Sequence, residues 1–154
     1  MQLEEVHIKH IQSSFIELET MEDLQSLLNY VKSLLYPNVE APKPIKVKSL
    51  WYYSNPKWSR KHYKQFSIKK KSGGKRTITA PVPQLKLIQR CLNLVLNVVF
   101  EPDPHATGFI PNKSVVDNAA SHAGKNYVYN IDIKDFFPSV EMHQVKKVLQ
   151  LAPF

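Results

Sequence analysis

Tyr129-Asn130-Ile131-Asp132-Ile133-Lys134-Asp135-Phe136-Phe137-Pro138-Ser139 decides how this chain is read. The apolar run from Tyr127 to Ile133 predicts a short buried strand. It carries one acid, Asp132. A second, Asp135, stands just past its end, ahead of two aromatic residues and a Pro-Ser pair that opens a helix. A carboxylate inside an apolar strand is costly to desolvate unless it is paired or holds a metal. A divalent cation at a strand end, beside substrate phosphates, suits such an acid. Taken without its neighbours, Asp132 has a plainer reading as a structural acid that caps a turn.

Charge is distributed very unevenly around this segment. Residues 1–40 hold seven acids and two Lys or Arg; residues 41–100 hold fourteen Lys or Arg and no acid; residues 101–154 hold six acids and five Lys. A sixty-residue block without a carboxylate is an electrostatic footprint for polyphosphate, and its aromatics (Trp51, Tyr52, Tyr53, Trp58, Tyr63, Phe66) suit stacking on bases or packing beneath them. The plainer reading is a solvated basic face balanced by the acidic N-terminal region. Trp51 and Trp58 are expected to pack in the core or within the fingers rather than serve as base platforms. No apolar run reaches the roughly 18 residues that suggest a membrane span, and the acidic start, Met1 to Glu5, lacks the order of a signal peptide. The single cysteine, Cys91, is expected to be a buried reduced thiol. A bacterial cytoplasmic location follows by default.

The chain is expected to open with a helix near Val6 to Leu18. A second follows, capped by Thr20, with Glu22 and Asp23 in its first turn and Leu24, Leu27, Leu28, Val31, Leu34 and Leu35 on one face. Three prolines in Pro37 to Pro44 mark a linker. A short helix at Ser49 to Tyr53 precedes a hairpin whose arms, His62 to Lys71 and Lys75 to Pro81, flank Ser72-Gly73-Gly74. Pro83 to Phe100 reads as a deeply buried helix. A loop from Glu101 to Pro111 and a helix from Ser114 to His122 lead to the Asp132 strand. One last helix from Pro138 carries Val145, Val148 and Leu149. His62, His105, His122 and His143 show no metal-ligand spacing and are assigned to the surface or to local hydrogen bonds.

Five cations surround the hairpin tip: Lys69, Lys70, Lys71, Lys75 and Arg76. Cations converging from two strands suit a nucleoside triphosphate, with the glycines letting the tip close. Basic hairpins also bind RNA backbone without specificity.

The order of these parts resembles bacterial reverse transcriptases of the retron and group II intron type. Tyr63 to Ile78 resembles their basic fingers hairpin, Gln84 to Leu96 the helix behind it, and Gly108-Phe109-Ile110-Pro111-Asn112-Lys113-Ser114 their Gly-Phe loop. Tyr129 to Ser139 resembles their first catalytic motif, and the likeness extends over roughly residues 46–149. The fold it implies is α+β: reverse-transcriptase fingers, helices plus a basic β-hairpin, and the first strand and helix of a right-hand polymerase palm, incomplete. Its parts would be an N-terminal helical region and linker (1–45), fingers (46–126) and the start of the palm (127–154).

The resemblance implies Asp132 as catalytic metal ligand, and the main-chain oxygen of Ile133 as a second ligand to Mg²⁺ in a two-metal site. Lys70, Arg76, Asp135, Phe136 and Phe137 would contact the dNTP, Phe137 rejecting a 2′-hydroxyl. Lys69, Lys71, Lys75 and Lys113 would contact nucleic acid, and Lys113 stands where many members carry arginine. Asp135 has plainer roles too, pairing with Lys134 or capping the next turn. Partners would be an RNA template, a DNA or RNA primer and dNTP, in mobile elements or antiviral defence.

The chain holds no Asp-Asp pair, and only Glu141 follows Asp135 among the acids. The family's Tyr-x-Asp-Asp hairpin, Gln-Gly loop and thumb have no counterpart. One carboxylate does not hold two Mg²⁺, so the chain alone is expected not to polymerise. A second polypeptide or a C-terminal region would supply the remaining palm and thumb. The rival readings are a noncatalytic RNA-binding module, and a partner subunit docking through Leu24, Leu28 and Val31.

Overall fold

The computed structural model describes residues 3–38, 43–71, 73–103, 105–110 and 112–151. They form two compact units, Met1–Val99 and Phe100–Phe154. Helices and one two-stranded sheet make the chain α+β.

The first unit begins with α1 (Glu5–Ile16) and α2 (Met21–Leu35). Thr20 caps α2 as its sequence predicts. Its hydroxyl accepts the Asp23 N–H at 3.1 Å, while the Asp23 carboxylate accepts the Thr20 N–H at 2.9 Å. The helix stops at Leu35, short of Pro37. Beyond the linker, whose residues 39–42 lie outside the described ones, the chain is pinned to α2 by side chains spaced along one helical face. The Asn29 amide donates to the Ile45 carbonyl at 3.0 Å and accepts the Ile45 N–H at 2.7 Å. Gln25 adds a bond to the same carbonyl at 2.9 Å, and the Lys32 ammonium donates to the Lys43 carbonyl. Ile45 is thereby delivered fully buried into the core.

Two helices follow in this unit, α3 (Val47–Ser54) and the single-turn α4 (Ser59–His62), separated by a 3₁₀ turn at Pro56–Trp58. Strands β1 (Tyr63–Lys69) and β2 (Lys75–Pro81) form the hairpin, and α5 (Pro83–Val99) closes the unit. Ile11, Leu28, Val31, Ile45, Ile88, Cys91 and Val95 join in one core where α1, α2 and α5 meet. Burial pushes the Cys91 thiol up from its ordinary range, as a reduced core thiol requires, with Lys32 opposing weakly.

Several expectations need correction. α5 is not deeply buried: Leu85, Ile88, Cys91 and Val95 form a single buried stripe, and Leu92 is exposed. α1, α2 and β2 pack against it. Of the two packing places expected for Trp51 and Trp58, the core is excluded, since they are 61 % and 44 % exposed; the Lys61 ammonium lies 4.8 Å from the Trp58 ring centroid. His62 is not a surface residue. It is buried against the rings of Tyr52 and Tyr53, and its Nε2 has no hydrogen-bond partner among the described residues.

The second unit contains α6 (Val115–His122), α7 (Phe136–Ser139) and α8 (Met142–Val148). Ser114 caps α6, accepting the Asp117 N–H at 3.4 Å, and the Asp117 carboxylate accepts the Ser114 N–H at 2.7 Å. The single last helix expected from Pro138 is in fact two. Val140 turns extended, and Glu141 starts α8 with its own capping box to Gln144. The segment Tyr127 to Ile133 is not a buried strand. It is unpaired and exposed, Ile131 at 82 % and Ile133 at 60 %. A strand forms only by sharing backbone hydrogen bonds with a neighbour, and among the described residues only β1 and β2 pair. No described helix is long and apolar enough to cross a membrane.

Candidate nucleotide and nucleic-acid site

The predicted residues fall into two groups, one in each unit. In the first, β1 and β2 run antiparallel with Tyr63 opposite Pro81, Phe66 opposite Ile78, Ile68 opposite Arg76 and Lys69 opposite Lys75. Gly73 and Gly74 take φ values of 87° and 81°, which glycine alone adopts freely, and the Gly74 carbonyl accepts the Lys70 N–H at 3.1 Å. Ser72 lies outside the described residues. The ladder ends at Lys69, so Lys70 and Lys71 belong to the turn rather than to an arm: the five-residue connection consumes them.

Residues directly opposite in an antiparallel pair share a face, and faces alternate along each strand. The register therefore divides the cations. Lys69 and Lys75 sit side by side with Ser67, Thr77, Gln65 and Thr79. Arg76 sits on the other face with Lys64, Phe66, Ile68 and Ile78. Lys64 was not singled out from the sequence, although the two-residue period of the arm carries the signal. Both faces are largely open; Phe66 is 51 % exposed and Ile68 45 %.

In the second unit, the Gly108 loop holds two non-glycine residues in the left-handed region, Phe109 at φ 61° and Asn112 at φ 63°, and Phe109 is fully exposed. Pro111 lies outside the described residues. Lys113, exposed, donates its N–H to the Ile110 carbonyl just before the Ser114 cap. Asp132 and Ile133 lie in the exposed segment. Asp135 has φ 53° and ψ 39°, the left-handed conformation, and from there the chain enters α7. Its carboxylate makes no capping bond, which removes the cap role considered for it; its carbonyl accepts the Ser139 N–H at 3.0 Å. Phe136 and Phe137 meet edge to face, 5.3 Å between centroids.

His105 and His143 make the local contacts expected of them, with Asp103 at 2.9 Å and with Glu141 at 3.1 Å. The His105 backbone N–H, foremost, and its ring hold the Asp103 carboxyl below its ordinary range. Among the described residues no group of three or more His, Cys, Asp or Glu could hold a metal. The exposed Asp132 carboxylate and Ile133 carbonyl offer hard oxygens of the kind Mg²⁺ takes, but they fit only part of its six-oxygen shell.

Residues 68–152, from the hairpin through α8, match the family model described as reverse transcriptase (RNA-dependent DNA polymerase). The chain belongs to the reverse transcriptase family. The relatives it matches are bacterial retron enzymes. It is 38 % identical over 114 residues to the Retron Mx65 reverse transcriptase of Myxococcus xanthus, a match covering 73 % of this chain and 27 % of that protein. To the Retron Mx162 reverse transcriptase of the same organism it is 44 % identical over 91 residues (58 % and 18 %). The Retron Ec73 reverse transcriptase of Escherichia coli gives 46 % over 83 residues (51 % and 25 %). This reverse-transcriptase chain thus spans roughly a quarter of its relatives' length or less. No solved structure matches it significantly.

Proposed function

We propose that the chain forms the fingers (46–126) and the first palm segment (127–154) of a right-hand polymerase that copies RNA into DNA from dNTPs. One observation carries the reading. A basic hairpin with cations on both faces precedes the Asp132 segment, and the family match runs through both.

The two hairpin faces suggest a division of labour. Arg76, with Lys70 in the turn, suits the triphosphate, because a guanidinium donates two parallel bonds to phosphate oxygens. Lys69, Lys71 and Lys75 suit the polynucleotide backbone, as does Lys113. Asp132 and the Ile133 carbonyl would hold Mg²⁺, which when bound neutralises charge gathering on the triphosphate. The main-chain N–H groups at Asp135 and Phe136 point the same way: a left-handed residue opening a helical turn exposes amides, and exposed amides bind phosphate oxygens. Phe137, 80 % exposed, has a free ring edge to set against the sugar and so to disfavour a 2′-hydroxyl.

The remaining palm and thumb would come from a C-terminal region or a second polypeptide, since one carboxylate and one carbonyl do not complete a two-metal shell. The 154 residues alone are therefore expected not to extend a primer. Joined to the missing palm and thumb, they are expected to do so on an RNA template, and Asp132→Asn is expected to abolish it. Activity surviving that change removes Asp132 from the metal site. The setting would be the bacterial cytoplasm, in a mobile element or a defence system. One observation favours a noncatalytic RNA-binding module instead: Asp132 is exposed and carries no hydrogen bond among the described residues. On that reading Asp132→Asn is silent and only the hairpin lysines matter.

A further inference from the structure

α1 packs on both α2 and α5 and so fills one flank of that helix pair. Elsewhere along the pair lies a cavity of about 310 Å³ that no α1 residue lines. Its floor is made of buried core side chains: Leu28 of α2, Leu50 of α3, and Leu85 and Ile88 of α5. Its mouth stays open. Trp51 of α3 and Leu92 of α5 line it and are exposed, and Met21 and Leu24 line it half-buried from α2. Two uncharged polar side chains join the lining, and both are engaged locally. The Ser54 hydroxyl donates to the Trp51 carbonyl at 3.2 Å, and the Gln89 amide donates to the Tyr63 hydroxyl at 3.2 Å. No lining residue is charged.

We propose that this cavity receives the apolar anchors of an acidic amphipathic helix from a partner protein, laid along α5. A small polar molecule would need convergent donors and acceptors; the cavity offers shape and apolar area, which anchoring side chains use. Spacing points to a helix. Leu85, Ile88 and Leu92 recur at three and four residues, a stripe about 10 Å long, and a helix seated beside it brings anchors at i, i+3 or i+4, and i+7. Charge points to acid. α3 and α5 hold no carboxylate, and the exposed cations Lys86 and Arg90 directly follow the lining residues Leu85 and Gln89. Across the cavity α2 carries Glu22, so the partner's carboxylates belong on its α5 side. An exposed tryptophan at the mouth is the residue type most enriched among binding hot spots, and the Met21 thioether adapts to the shape it meets. Of the three side chains that the sequence offers for docking, Leu28 and Val31 are spent in the core, and only Leu24 stays partly open. The inference stands apart from the polymerase reading, since no lining residue is a metal, triphosphate or polynucleotide contact proposed above.

The test is fluorescence anisotropy of the whole chain with three labelled synthetic peptides of about 15 residues, stapled as helices. Two carry leucines at i, i+3 and i+7, one flanked by glutamates and the other by lysines. The third has the composition of the glutamate peptide in scrambled order. The glutamate peptide is expected to bind about tenfold or more tightly than either of the others. Leu92→Glu and Trp51→Ala, both at exposed positions, are each expected to weaken it by about tenfold with circular dichroism unchanged. Lys86→Glu/Arg90→Glu is expected to turn the preference toward the lysine peptide. The proposal is overturned if the scrambled or the lysine peptide binds the unaltered chain as well as the glutamate one, or if neither mouth variant weakens binding. It is also overturned if sedimentation shows the chain self-associating and Leu92→Glu makes it monomeric, because the cavity then belongs to a second copy. The polymerase reading is judged separately, by primer extension with and without Asp132→Asn.

Discussion

Asp135 stands at the junction where the extended segment becomes α7, with φ 53° and ψ 39°. Aspartate tolerates that conformation better than most residues, and a β-branched side chain tolerates it least. Asp135→Gly is therefore expected to preserve the local structure, while Asp135→Val is expected to disrupt the turn; circular dichroism and amide chemical shifts of residues 132–140 report the difference. Asn29 presents the opposite case, a polar side chain whose role is internal. Its amide satisfies both polar groups of the Ile45 backbone, so Asn29→Ala leaves a buried N–H unpaired. The expected loss is about 1–3 kcal/mol, read from urea unfolding. The two residues also mark what sequence discloses at this scale. Thr20 was legible as a cap because a cap is a bond between near neighbours. Asn29 and His62 were not, because their partners, Ile45 and the Tyr52–Tyr53 pair, are brought to them by packing.

Among the elements, the hairpin was legible in type and place because Gly73-Gly74 and the flanking period-two pattern are local signals. Its strand end at Lys69 was not, since a five-residue connection can close at more than one register. That register makes a prediction. Lys75→Glu converts a repulsive cross-strand pair into an attractive one, stabilising the hairpin by about 0.2–1 kcal/mol. The same change is expected to weaken polynucleotide binding, and a melting curve and a binding titration on one sample check both signs. Helix caps supply a pH dependence. The Asp23 carboxyl is held below its ordinary 3.8 first by the Thr20 hydroxyl, and that of Asp117 first by the Ser114 hydroxyl. A depressed folded-state value means that the unfolded chain takes up the proton first. The caps of α2 and α6 thus contribute fully above pH 3.8 and lose their contribution as pH falls through the depressed values. Helicity followed by circular dichroism is expected to hold down to about pH 4 and to decline below it, and Thr20→Ala/Ser114→Ala is expected to reduce that dependence, since the backbone N–H bonds to Asp23 and Asp117 remain. Where sequence reading missed, at the break between α7 and α8, the cause lies at Val140, whose extended backbone leaves Glu141 to cap a new helix.

At the scale of the molecule, one unit holds the core and the other buries none of its described residues. The difference traces to sequence. α1, α2 and α5 each present an apolar stripe to the others, whereas the apolar side chains of 127–151 have no described layer to cover them. The strand expected at Asp132 failed for that reason. Its composition is that of a buried strand, but pairing needs neighbours, and among the described residues only β1 and β2 pair. Family membership was legible from four motifs in order, which depend on spacing and not on burial. The most direct test of the central claim is RNA-templated primer extension by a retron reverse transcriptase whose corresponding segment is replaced by residues 46–151 of this chain, with Asp132 intact or changed to Asn. The account predicts Mg²⁺-dependent extension by the first and none by the second; equal extension by both contradicts it.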